Sequence, residues 1–111
     1  MLTRILECVK DVSDKEYQKR VWIRGEGPEC YDFDETCCDF FDDIDPLIGD
    51  YKNSGITESQ YHILKKFRDE FDTFSRKNNC PSEFIDTPEW EEITEMAKEV
   101  LRAFNYRKPP R

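Results

Sequence analysis

No lysine or arginine stands between Arg24 and Lys52, although ten acidic side chains do: Glu26, Glu29, Asp32, Asp34, Glu35, Asp39, Asp42, Asp43, Asp45 and Asp50. A block without basic residues cannot neutralise phosphates, the interaction from which affinity for a nucleic-acid backbone comes. The same imbalance disfavours docking on an anionic membrane surface. Elsewhere the charges nearly balance, with six basic and four acidic groups in residues 1–24 and eleven of each in residues 51–111. The formal charge of -8 therefore arises in one block. Self-repulsion there costs stability, whereas the field it makes steers a basic partner into contact. The simpler account of such a block is a solvated face kept for solubility.

Other absences narrow the class. No apolar run approaches the roughly 18 residues that a membrane-spanning helix needs. The start, Met1-Leu2-Thr3-Arg4-Ile5-Leu6-Glu7, meets charge too early for the apolar stretch of a secretory signal, so a cytoplasmic location is expected. Five cysteines, Cys8, Cys30, Cys37, Cys38 and Cys80, make an odd set without a secretory signal. They read as small apolar fillers in a reducing compartment rather than as a disulfide framework.

Catalytic and metal motifs are missing as well. His62 is the only histidine. It lies four residues after Glu58, but zinc needs about four ligands, and a di-iron bundle needs paired Glu-x-x-His motifs. An EF-hand loop fails from either Asp32 or Asp43, because its fifth and sixth positions fall on Thr36 and Cys37, or on Leu47 and Ile48. Cys37 and Cys38 fall among carboxylates, which raise a thiol pKa rather than activate it. No phosphate loop, nucleophile elbow or dinucleotide fingerprint occurs. No catalytic residue, metal or cofactor is therefore expected.

What is present is helical periodicity. The 111 residues fit one domain, expected over residues 1–106 with a basic, proline-bearing, flexible tail at 107–111. Thr3 to Val9 is too short to decide its type. Ser13 and Glu16 have the spacing of a capping box, opening a helix with Tyr17 and Val21 on one face that stops near Gly25. Asp32 and Glu35 form a second capping pair. Phe33, Cys37, Phe40, Phe41 and Ile44 then follow at helical spacing, with acids between them. Pro46 is expected to end or kink this helix, which would place Asp42 and Asp43 against its dipole. Thr57 and Gln60 form a third box before a stripe of Tyr61, Leu64, Phe67, Phe71 and Phe74. Thr87 and Pro88 open a last helix carrying Trp90, Ile93, Ala97, Val100, Leu101 and Phe104. The expected fold is an all-α bundle of about five helices, the two long C-terminal ones antiparallel.

Two runs carry a resemblance. Val21-Trp22-Ile23-Arg24-Gly25-Glu26-Gly27-Pro28-Glu29 precedes the acidic, Phe-rich helix, and Glu83-Phe84-Ile85-Asp86-Thr87-Pro88-Glu89-Trp90 leads into Met96-Ala97-Lys98-Glu99-Val100-Leu101. Together they resemble the CdiI-type immunity proteins of bacterial contact-dependent growth inhibition, most of all the small helical ones paired with ribonuclease toxins. The resemblance implies a partner, the C-terminal nuclease domain of a cognate toxin, whose basic cleft the immunity protein covers. Charge and helical geometry, rather than the family, nominate Asp34, Glu35, Asp39, Asp42, Asp43 and Asp45 as the contact, because carboxylates facing Arg or Lys form charge-assisted hydrogen bonds. Trp22 and Tyr31 are candidate aromatic anchors beside them. The competing expectations are a nucleic-acid mimic aimed at a DNA-binding protein, a carboxylate-based enzyme or metal binder, and a helical adaptor whose acids only keep it soluble.

Overall fold

A computed structural model describes residues 2–25 and 32–106; Glu26, Glu29, Cys30, Tyr31 and the tail at 107–111 lie outside the described residues. Helix α1 spans Leu2–Ser13 and buries Ile5, Leu6, Val9 and Val12, the i, i+3, i+4 pattern that seven residues were too few to reveal. The capping box expected at Ser13 is displaced by one residue. Ser13 ends α1, its hydroxyl donating to Lys10 O at 2.7 Å. Asp14 caps the next helix instead, accepting from Tyr17 N–H at 3.2 Å. Asp is as good a cap as Ser, and the Ser13 hydroxyl is already spent inside α1.

Helix α2, Lys15–Tyr17, widens at once into π-helical turns over Gln18–Ile23, closed by Arg24 N–H on Lys19 O at 3.1 Å. Gly25 ends the segment at φ +66°, a left-handed conformation that glycine adopts without a Cβ clash. Helix α3, Phe33–Gly49, is capped by Asp32, whose carboxylate accepts from Glu35 N–H at 2.8 Å.

Pro46 does not end α3. It stands exposed on the outer side while Ile44 and Leu47 stay buried, so packing of the inner face carries the helix past the one backbone donor that proline lacks. Asp42 and Asp43 are consequently mid-helix and do not oppose the dipole as expected. Asp45 and the C-cap Asp50 do, in a last turn without a basic residue.

A single 3₁₀ turn, Tyr51–Asn53, and Gly55 at φ +79° lead to α4, Glu58–Lys77. Here the capping box forms as expected: Gln60 N–H donates to Thr57 Oγ1 at 3.0 Å, and Thr57 N–H donates to Gln60 Oε1 at 2.9 Å. Gln60 also uses its Nε2 to bond Ala103 O at 3.0 Å, tying the start of α4 to the end of the last helix. After one turn, α5 at Pro81–Phe84, Thr87 caps α6, Pro88–Ala103, with Pro88 in its first turn.

Helices α1 and α4 each pack on both α3 and α6, which places α3 and α6 diagonally across the core. Gln60 meets Ala103 at one end of the α4–α6 pair, and Phe74 lies 5.2 Å from Trp90 at the other. That is the order of contacts expected of antiparallel neighbours. The described residues are all-α, with no strand among them.

Trp90 is fully buried at the centre, with ring centroids of Phe84 at 4.7 Å, Phe74 at 5.2 Å and Phe33 at 6.0 Å. Truncating such an aromatic costs about 3–5 kcal/mol, so this cluster dominates the fold's stability. Gln18, also fully buried, is built into it. Its Nε2 donates to Asp11 O and Val12 O at 2.9 and 2.8 Å, and its Oε1 accepts from Trp90 Nε1–H at 2.9 Å.

Candidate partner-binding surface

The outer side of α3 follows from its inner side. Phe33, Thr36, Phe40, Ile44 and Leu47 are buried at i, i+3, i+4 spacing, so the remaining positions face outward or towards the neighbouring helices. The acids between them separate into three groups.

On the α1 side, Asp39 and Asp43 stand one turn apart and half-buried, and Arg4 bridges them at 2.8 and 3.3 Å. These two carboxylates, by bond first and field second, raise the Arg4 pKa above its ordinary value. On the α4 side, Asp45 bonds Arg68 at 3.1 Å. Arg68 also bonds Asp69 at 3.1 Å and lies 5.6 Å over the Phe41 ring. Between these flanks runs an outward stripe of Asp34, Cys38 and Asp42 at i, i+4, i+8, with Glu35 beside it, all exposed. Asp34, Glu35 and Asp42 have no ion pair within the described residues.

Of the six carboxylates nominated from the sequence, three are therefore partly neutralised within the fold and three are free. The arginines responsible lie on α1 and α4, some 35 and 23 residues from their partners. No local spacing in the sequence points to either. Each pair keeps one well-exposed partner, Arg4 or Asp45, and water-screened pairs of that kind contribute little to stability. Their larger effect is on the shape of the field: they narrow the unpaired charge to the stripe.

The aromatic anchors fare differently. Trp22 is only 9% exposed and packs edge-on against Phe33 at 5.3 Å, Tyr17 at 6.1 Å and Trp90 at 6.2 Å. Its ring is core, not surface, so it offers a partner almost nothing. Trp22 is close to the acidic block in sequence, but the π-helical turns carry it inward. Tyr31 lies outside the described residues.

Cys8 and Cys37 are not set up as nucleophiles. Burial, reinforced by the field of Asp11, pushes the Cys8 thiol up to about 12, and burial with the field of Asp34 does the same for Cys37. His62 sits 3.6 Å from Glu58 on the exposed side of α4. No group of three or more His, Cys, Asp or Glu residues among those described is placed to hold a metal ion. No helix among the described residues is long and apolar enough to cross a membrane. No protein-family model, curated protein or solved structure matches this chain.

Proposed function

We propose that this chain is an immunity protein, binding the nuclease domain of a cognate toxin, a ribonuclease by preference, and covering its basic active site with the outer face of α3. The observation that supports this reading is the unpaired stripe of Asp34, Glu35 and Asp42, displayed on a rigid helix at the edge of which every other nominated acid already has a partner. A nuclease must hold a polyanion, so its cleft is basic. Carboxylates at helical spacing present negative charge to such a cleft as the phosphates of its substrate do. Preformed charge on a helix raises association rates, which is what an inhibitor needs when free toxin is destroying RNA. A cytoplasmic site of action goes with that role.

The test is co-expression with the toxin domain encoded beside it. Restored growth and a stable complex on gel filtration support the proposal. The triple substitution Asp34→Asn, Glu35→Gln, Asp42→Asn should then slow association and flatten its salt dependence while the helical fold persists. Absence of both rescue and complex sinks it.

The internal pairing of Asp39, Asp43 and Asp45 favours one second reading, a helical adaptor whose acids serve solubility. Under that reading the triple variant keeps full affinity for its partner.

A further inference from the structure

We propose that the seam between α4 and α6 is a second docking surface, a groove for a cationic polypeptide segment that carries an apolar side chain between basic ones. Three adjoining hollows run along this seam, with volumes of about 460, 570 and 280 Å³. Met96 lines all three, and Glu70 and Glu92 line both larger ones. They form one open groove rather than separate pits.

Two features specify the occupant. The first is the floor, where the half-buried Met96 supplies the apolar surface, backed by the buried Phe74 and Ile93. The second is the rim, where Glu70, Glu89 and Glu92 stand exposed with no ion pair or hydrogen bond to any described residue. Their neighbours are already engaged, Glu91 with Lys15 at 3.1 Å and Glu95 with Lys98 at 3.4 Å. Lys66 and Lys77 also line the groove, but they do not pair with these three glutamates. A polyanion is repelled by such a rim. A small polycation matches the rim but leaves the floor wet. A polypeptide with Lys or Arg on either side of a Leu-like residue satisfies both. Positions 89 to 99 of α6 extend about 15 Å, room for roughly three turns of a docked helix.

The groove lies on α6, diagonal to α3, and the inference holds whether or not α3 binds a toxin. From sequence alone Glu91, Glu92, Glu95 and Glu99 read as the solvated outer side of α6. Only packing against α4 sets Glu70 opposite them and lays Met96 between.

The probe is a synthetic peptide of about twelve residues with Lys and Leu at helical spacing, long enough to fill the groove. It is titrated into the full chain, followed by Met96 methyl and backbone amide resonances. The expected result is a set of shifts confined to residues 66–77 and 89–99. The variant Glu70→Gln, Glu89→Gln, Glu92→Gln should bind roughly tenfold more weakly. Met96→Lys, which puts a cation on the floor, should abolish binding while circular dichroism confirms the fold. Spermidine, and a peptide with Ser in place of Leu, should bind at least about tenfold more weakly than the probe. Shifts centred on residues 34–45, equal binding by the triple variant, or equal binding by the Ser peptide or spermidine would each overturn the proposal.

Discussion

Arg4 and Asp39 join α1 to α3 through a 2.8 Å ion pair, although 35 residues separate them in the chain. The Arg4 side chain is 58% exposed, so water screens the pair and its thermodynamic weight is small. Its electrostatic consequence is larger, because the same guanidinium also reaches Asp43 and removes a charge from the face proposed to meet a basic partner.

Replacing Arg4 with Met should therefore change the thermal midpoint little and make α3 more anionic. Within the proposed function, association with the toxin domain becomes faster at low salt and its salt dependence steeper. Stopped-flow rates at two ionic strengths check this. A rate that falls would mean that Arg4 itself contacts the partner.

Gln18 gives a sharper stability prediction. Gln18→Leu stays near in volume but makes the side chain apolar, and it strands Trp90 Nε1–H and the Val12 carbonyl in the core, whereas Asp11 O keeps the Asp14 N–H at 3.3 Å. Each unsatisfied buried group costs about 1–3 kcal/mol, so a loss of roughly 2 kcal/mol or more is expected in urea unfolding. A loss below about 1 kcal/mol would show that water or a local shift re-satisfies these groups.

The end of α6 should be improvable. Asn105 sits at φ 53°, with its N–H on Arg102 O at 3.1 Å and the Tyr106 N–H on Leu101 O at 2.9 Å, the bonding of a Schellman motif. Asn tolerates this left-handed position but glycine is preferred there. Asn105→Gly should stabilise the fold by up to about 1 kcal/mol, read as a higher denaturation midpoint. A lower midpoint would mean that the Asn side chain makes a contact worth more than the backbone strain.

Alkaline pH should weaken the fold through its thiols. Cys8 and Cys37 are held protonated up to about 12, against an ordinary value of 9.0. The folded state thus binds more protons than the unfolded one between these values. The stability contribution is full below pH 9.0 and is lost as pH rises towards about 12. Cys8, 6% exposed, supplies at most about 1.4 kcal/mol per pH unit in that window. Urea unfolding at pH 8 and pH 10 (on the order of one unit either side of the free-thiol value), repeated with Cys8→Ala, isolates its share. Equal slopes in the two proteins would remove Cys8 from the account.

Much of the secondary structure was legible because it rests on local chemistry. The Thr57–Gln60 capping box, the Thr87–Pro88 start and the Phe-rich stripe of α4 depend on residues within a turn or two of one another. The failures have equally local explanations. At Ser13, two good cap residues stand side by side, and sequence does not say which one the preceding helix will consume. At Pro46, propensity argued for an end, but burial of Ile44 and Leu47 on the far side outweighed one missing bond. At Trp22, nearness to the acidic block in sequence does not bring shared surface, because the π-helical turns bury the ring.

The sequence by itself determined that one anionic block exists, that the chain is helical and which stripes are apolar, because charge and 3.6-residue periodicity are properties of neighbours along the chain. Only the tertiary structure decided which carboxylates stay unpaired. That depends on Arg4 and Arg68 arriving from α1 and α4, and on α4 and α6 meeting so that Glu70, Glu89 and Glu92 share one groove. Electrostatic interactions act through space over a few ångströms, and distances of that kind between remote residues are set by the packing of the core.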